Sequence, residues 1–320
     1  VGRIWRNKYI LLIRFTIMKH LISMLDAKDE IYEILDLASE LKAKQKKWIM
    51  HELLKNKSLG MIFEKPSTRT RISFEVGMTQ LGGHALYLSP KELQMGRGET
   101  IPDTAKILSR FVDCIMYRAF DHKMMLELAN NATVPVINGL DNIEHPCQIM
   151  ADLLTIKEKK KDFKGLKLAY VGDGNNVCNS LLLGAAIVGM NMGVGCPKGY
   201  EPNKEILEKA KKIAKSKIEI SENPFDAAEN ADIIYTDVWV SMGDESEKEK
   251  REKIFLPYQI NQKLIENAKK NCIVMHCLPA HRGMEITDEV VDGRKSVVFD
   301  QAENRLHAQK AVMVKLMSNV

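Results

Sequence analysis

Two successive series of alternating strand and helix signals constrain the fold of this 320-residue chain more than any other feature. In the first series, apolar runs at Ser58–Phe63, His84–Leu88, Val112–Tyr117 and Val134–Ile137 are followed by helix-like stretches near 68–81, 101–110, 121–130 and 147–159. An amphipathic helix over 27–45 precedes them, with Ile31, Ile34, Leu35, Ala38 and Leu41 at helical spacing. A charged stretch, Lys157–Lys161, then reads as a solvated helix end or linker. Beyond it the alternation restarts, with strands predicted at Leu166–Val171, Met192–Cys196, Lys217–Ile220, Asp232–Thr236, Cys272–His276 and Ser296–Phe299. A closing helix spans about 302–318. Strands separated by helices pair in parallel, so the expected fold class is α/β: two open parallel-sheet domains with helices on both faces. The expected divisions are an extension over 1–17, domains over 18–155 and 156–300, and a C-terminal helix over 301–320.

Charge and cysteine usage narrow the class of function. Residues 1–17 hold Arg3, Arg6, Lys8 and Arg14 and no acid, so they carry four of the net five positive charges. The rest of the chain is close to neutral, which disfavours a nucleic-acid-binding body. The apolar run Tyr9–Ile13 is too short to span a membrane, and no small-residue cleavage site follows it. These first residues are expected to be a dispensable extension. Six cysteines, at 114, 147, 178, 196, 272 and 277, show no CxxC and no framework spacing, the usage of a reducing, cytoplasmic compartment.

Open α/β sheets bind ligands beyond the carboxyl ends of their strands, so the loops there are where chemistry is expected. Phe63–Arg71 follows the first strand and opens a helix. Its Ser67, Thr68, Arg69 and Thr70 suit a phosphate dianion at the helix start, or equally a capped helix with surface arginines. Arg118 closes the third strand, and His145-Pro146-Cys147-Gln148 opens another helix. In the second half, Gly172-Asp173-Gly174 lacks the third glycine and the downstream acid of a dinucleotide fingerprint. Asn175 and Asn176 beside it suit a ligand with donors and acceptors. Asp237 ends a strand, where it can meet an ammonium, and Ser241-Met242-Gly243 leads into a charged run, 244–253, that reads as a solvated helix. Finally, Cys272–His281 has a CxxxHCxxxH pattern, but strand alternation turns His276 and Cys277 to opposite faces, which disfavours a shared metal. Cys277 reads instead as a ligand-facing thiol.

Taken together, Ser67–Thr70, His145–Gln148, Asp237 with Ser241-Met242-Gly243, and His276-Cys277-Leu278-Pro279 resemble the aspartate/ornithine carbamoyltransferase family, in its ornithine branch. The resemblance runs from about His20 to Lys315. It implies that Ser67, Thr68, Arg69, Thr70, Arg118, His145, Gln148 and Arg305 bind carbamoyl phosphate in the first domain. Gln94 would reach a neighbouring subunit's site in a homotrimer or a multiple of trimers. Asn176, Asp237, Ser241 and Met242 would hold L-ornithine in the second domain, with Cys277 and Leu278 between the two substrates. The last helix would pack back on the first domain. No metal or organic cofactor is implied.

The implied chemistry is attack of an amine on the carbamoyl carbon as phosphate leaves. Cys277 coupled to Asp237 is the expected proton acceptor, with Arg118, His145 and Thr70 as the oxyanion hole. Three other readings remain: a different amine acceptor such as putrescine, a non-catalytic ligand-binding subunit, and a nicotinamide oxidoreductase resting on the incomplete GxG.

Overall fold

The computed structural model describes residues 18–240 and 245–318. In the first half, β1 (Ser58–Phe63), β2 (His84–Leu88), β3 (Cys114–Arg118) and β4 (Val136–Leu140) form a sheet in the order β2-β1-β3-β4. In the second, β5 (Lys167–Val171), β6 (Asn191–Gly195), β7 (Ile218–Ser221), β8 (Ile233–Thr236) and β9 (Ile273–His276) form another, ordered β7-β6-β5-β8-β9. Every strand pairing is parallel. Helix α1 (Ile31–Lys46) precedes β1, and α2 (Thr68–Gln80), α3 (Ile101–Leu108), α4 (His122–Asn131) and α5 (Pro146–Lys160) each follow a strand of the first sheet. The second sheet carries α6 (Asn176–Val188), α7 (Lys204–Ile213), α8 (Pro224–Ala228), α9 (Lys248–Phe255), α10 (Gln262–Glu266) and α11 (Asp288–Val291). Helix α12 (Val298–Met317) follows. Two parallel-sheet α/β units are thus present, as expected. No described helix is long and apolar enough to cross a membrane.

One expected strand is absent. At Ser296–Phe299 the chain makes a single bridge, Ser296 to Val274, closed by Val274 N–H to the Lys295 carbonyl and Val297 N–H to the Val274 carbonyl. It then turns into α12 at Val298, earlier than the predicted 302. The β-branched pair Val297-Val298 favours extended backbone locally, but tertiary packing overrides that preference: α12 packs along α5, α1 and α2. The expected division at 300/301 therefore falls inside α12, and that at 155/156 inside α5.

The strand orders place the site. The chain leaves β1 for β2 on one side and returns to β3 on the other, so the loops after β1 and β3 diverge and open a crevice. Phe63 is in register with Arg118, which puts the two loops side by side. In the second sheet the same reversal lies between β5 and β8. A single apolar core runs from α1 through α5, α6 and α12 and binds both sheets, so the two crevices are held against each other.

The glycines after β5 are accounted for by backbone approach, without a dinucleotide. Gly172 has φ +139°, and a Cβ on Gly174 would lie 2.3 Å from Pro202 N and 2.4 Å from the Glu201 carbonyl carbon. Backbone atoms cannot yield as a side-chain tip can. Gly174→Ala should therefore cost about 2–3 kcal/mol of stability, read by urea unfolding; an unchanged midpoint would contradict this packing.

A buried polar cluster fastens α5 to the second sheet and to α12. Asp152, fully buried, accepts from Gln148 Nε2 (2.9 Å), Gln301 Nε2 (2.8 Å) and the Tyr235 hydroxyl (2.9 Å). Burial pushes its carboxyl up to about 6 despite these donors. The unfolded chain, with an aspartate pKa of about 3.9, gives up that proton first. Asp152 therefore loses the fold stability as pH rises from about 4 to about 6, because the unfolded state binds fewer protons there. Asp152→Asn should gain stability relative to wild type across that window and hold the gain above it. Denaturation midpoints over a pH series test this; a constant difference between the two proteins would refute it.

Candidate active site

The carboxyl-end loops of both sheets line one cleft of about 970 Å³. Of the residues expected in the first domain, Ser67, Thr68, Arg69, Thr70, Arg118, His145, Gln148 and Arg305 line it; of those in the second, Asn176, Asp237, Cys277 and Leu278 do. Gln94 does not. It stands exposed on the 3-10 turn Gln94–Arg97, away from this cleft. Ser241 and Met242, with Gly243, lie outside the described residues, as does the extension over 1–17.

Three helices begin at the cleft, and none has an acid in its first turn. Helix α2 starts after Ser67, whose hydroxyl accepts from Thr70 N–H at 3.3 Å. The two readings of this loop are thus compatible: Ser67 caps the helix while Arg69 and Thr70 line the cleft. His145 precedes α5 without a side-chain cap, and Pro146 occupies the first position, where no N–H is needed. Asn175 caps α6, accepting from Val177 and Cys178 N–H. Helix starts carry partial positive charge and outward amides, which favour an anion.

Arginines reinforce that field. Arg305 is 2% exposed and donates to Gln148 Oε1 (2.7 Å), Thr70 Oγ1 (3.1 Å) and Gln309 Oε1 (3.2 Å). Arg118 is buried, and its Nε has no hydrogen-bond partner among the described residues. Burial, then the charges of Arg305 and Arg69, bring its pKa down to about 10. None of Arg69, Arg118 and Arg305 pairs with a carboxylate among the described residues. The same surroundings act on His145: burial, then Arg305, Arg118 and Arg69, hold its pKa well below the usual histidine range. Its imidazole is therefore neutral. The His145 backbone N–H donates to Ser180 Oγ at 2.8 Å, and the buried ring Nδ1 is without a partner among the described residues.

The opposite rim is acidic. Asp237 accepts from Asn175 Nδ2 (2.8 Å) and from the Cys277 thiol (2.8 Å), while Asp173 lies beside them. Asn176 donates to the Asp141 carbonyl at 2.6 Å, tying α6 to the β4–α5 loop. Burial, then Asp237, pushes the Cys277 thiol well up. The Cys277 thiol is thus placed as a donor to Asp237, and its surroundings disfavour the thiolate expected to take a proton from an incoming amine. Arg69 reaches across the cleft and donates from Nη2 to the Leu278 carbonyl.

The alternation argument against a metal also needs correction. Strand β9 ends at His276, so Cys277 already lies in a loop, and one ligand-type atom from each of Asp237, His276 and Cys277 lies within 4.8 Å of the others. The donor chemistry still disfavours an ion. His276 Nδ1 accepts from Leu278 N–H (2.8 Å), its Nε2 faces Glu285 Oε1 (3.2 Å), and the Cys277 thiol is engaged by Asp237 (2.8 Å).

Several lining groups were not singled out in the sequence, among them Lys65, Asp141, Lys248 and Met284. Arg251, behind the cleft lining, is the most instructive residue that the sequence reading missed. It lies in the charged run read as a solvated helix, yet its side chain is only 11% exposed. It donates to Asp173 Oδ2 (2.8 Å) and the Trp239 carbonyl (2.9 Å) and lies over the Tyr200 ring. A charge run carries no signal of which cation turns inward.

Comparison with known proteins agrees with this geometry. Residues 19–158 match the family model for the aspartate/ornithine carbamoyltransferase carbamoyl-P binding domain, and residues 164–316 match that for the Asp/Orn binding domain. Ornithine carbamoyltransferase of Archaeoglobus fulgidus is 59% identical over 301 residues, covering 94% of this chain and 98% of the relative. The catabolic ornithine carbamoyltransferase of Thermoplasma volcanium is 57% identical over 303 residues, covering 94% and 99%. The solved ornithine carbamoyltransferase of Pyrococcus furiosus superposes with a TM-score of 0.92 at 52% identity, covering 95% of this chain and 98% of that one. The chain belongs to the aspartate/ornithine carbamoyltransferase family.

Proposed function

We propose that this protein transfers the carbamoyl group of carbamoyl phosphate to the side-chain amine of L-ornithine, giving L-citrulline and phosphate. The observation that carries the proposal is the polarity of one cleft. A cationic rim of Arg69, Arg118, Arg305 and three helix starts faces a rim whose carboxylates are Asp237, hydrogen-bonded to Asn175 and Cys277, and Asp173, already paired with Arg251. The first suits a phosphate dianion and the second an ammonium group.

In this reading Ser67, Thr68, Arg69 and Thr70 hold the phosphate, and Arg69 neutralises it as it departs. Arg118, the neutral His145 and Thr70 donate to the carbamoyl oxygen as it gains charge in the tetrahedral state. Removing one such donor costs roughly 3 kcal/mol. Gln148 and Arg305 fix that rim through their mutual 2.7 Å contact. Asn176, Asp237, Ser241 and Met242 hold the amino-acid end of ornithine, with Cys277 and Leu278 between the substrates. The neutral amine forms the N–C bond, the C–O bond to phosphate breaks, and the amine's proton leaves with the phosphate as its monohydrogen form. With an ammonium pKa of about 10.4, reaching the neutral amine at pH 7 costs about 4.6 kcal/mol. Burial and the neighbouring Asp237 disfavour a thiolate at Cys277 in this step. Below the pKa of the bound amine, turnover should therefore rise about tenfold per pH unit.

Gln94, exposed and outside its own cleft, is available to complete the site of a second copy in a homotrimer or a multiple of trimers. Carbamoyl phosphate is the activated partner, so the equilibrium of this reaction lies toward citrulline.

Citrulline formation by purified protein, with ornithine, aspartate and putrescine compared as acceptors, tests the assignment; no preference for ornithine would end it. Arg69→Ala should lower kcat/KM for carbamoyl phosphate by on the order of 10²–10³-fold, since it truncates a charged phosphate contact. Near-normal kinetics would remove Arg69 from the phosphate site. Cys277→Ala should raise the ornithine KM about tenfold and displace its pH profile, through loss of a hydrogen bond to a charged group. An unmoved profile would clear the thiol of any role.

A further inference from the structure

Behind the Cys277–Pro279 loop lies a fully buried carboxylate that the proposed chemistry does not use. Glu285 and His276 are both 0% exposed. The Glu285 Oε1 atom faces His276 Nε2 at 3.2 Å and accepts the His281 backbone N–H at 2.5 Å. On the other side of the ring, His276 Nδ1 accepts the Leu278 N–H at 2.8 Å. A backbone N–H can donate only to an unprotonated ring nitrogen, so the proton sits on Nε2 and points at Glu285.

This tautomer matters because of what Leu278 does. Its φ is +59°, a left-handed backbone that a leucine rarely adopts. In that conformation its carbonyl receives the Arg69 guanidinium from the opposite rim. Its neighbour Cys277 is bound to Asp237. The Leu278 N–H contact to His276 is thus one of the few interactions holding a strained residue at the junction of the two rims. With the other tautomer, an Nδ1–H would oppose the Leu278 N–H, two donors face to face. The backbone of His276 is fixed independently, its N–H donating to Gln301 Oε1 at 2.9 Å.

We infer that Glu285 is a positioning residue for carbamoyl transfer: by accepting the His276 Nε2 proton it sets the tautomer that holds Leu278, and so keeps the Cys277–Pro279 loop seated against Arg69 and Asp237. The inference deepens the activity proposed above and rests on it for its kinetic consequence. Its structural half does not depend on turnover.

The role requires an acceptor at Oε1 rather than a charge. Glu285→Gln, which keeps that oxygen, should retain kcat within about threefold, whereas Glu285→Leu should lower kcat at least tenfold. Phosphate binding measured by calorimetry should change less than threefold, since Ser67–Thr70 remain in place. In a His276→Asn background the shorter amide supplies the Leu278 acceptor without a tautomer to set, so Glu285→Leu should there lose most of its effect. Normal turnover by folded Glu285→Leu protein overturns the inference, as does an equal loss in both backgrounds. Should Glu285→Leu fail to fold, ¹⁵N spectra of histidine-labelled wild type decide the matter: His276 must carry its proton on Nε2 alone, and an Nδ1–H or doubly protonated ring overturns it. The same spectra separate the two claims. Wild type that makes no citrulline but shows the Nε2–H tautomer refutes the proposed activity and leaves the tautomer assignment standing.

Discussion

The donation from Arg69 to the Leu278 carbonyl joins the rims of two separate sheets, and the rest of the site is arranged around that closure. Arg69 stands in the first turn of α2, directly after β1; Leu278 stands just past the end of β9. Local contacts shape each loop, Ser67 capping α2 and His276 accepting from Leu278 N–H, but they do not bring the two loops together. Each is fixed by the strand order of its own sheet, which opens a crevice between β1 and β3 in one and between β5 and β8 in the other. The crevices face each other because the apolar core containing α1, α5, α6 and α12 continues between the sheets. Asp152 within that core binds β8 and α12 to α5, so the rims cannot slide without breaking a buried polar cluster.

Much of this was legible from residue pattern. The strands at 58–63 and 84–88 are read residue for residue, because short apolar runs bounded by loops are what parallel-sheet strands look like. Ser296–Phe299 misled for the same reason: valines carry a local extended preference, and nothing local reports that the closing helix, expected from about 302, already begins at Val298. Within the site, hydroxyls, arginines and histidine at strand ends pointed to the cleft, since their chemistry and their place in the α/β alternation agreed. What escaped was whatever depends on contact between distant segments. Arg251 was hidden in a charge run, and the alternation rule failed at Cys277 because the strand stops one residue earlier. The thiol's environment escaped as well: thiol and carboxylate can be paired on paper, but only the fold shows their 2.8 Å contact and the burial that disfavours a thiolate.

The cationic rim carries a cost that the fold bears without ligand. Three guanidiniums, two of them nearly inaccessible, share one wall, and no carboxylate pairs with them among the described residues. Their mutual repulsion adds to burial in lowering the pKa of Arg118. A dianion entering this wall relieves that repulsion, and its binding free energy includes the relief. Such a surface is organised before the ligand arrives, so little reorientation of dipoles is left for the reaction itself.

The same field decides the state of His145, and that state limits what the site can do. A positive imidazole would add one more cation to the wall and strengthen the grip on ground-state phosphate as much as on anything later. Uniform binding of that kind does not speed the chemical step. Burial and the surrounding arginines instead keep the ring neutral. In the reaction proposed above, a neutral ring donates one N–H to the carbamoyl oxygen, where charge appears only as the amine attacks, while the arginines offset the negative charge already present on phosphate. Division of labour between permanent and developing charge thus follows from the order of burial and repulsion in one cluster, with no further group needed to impose it.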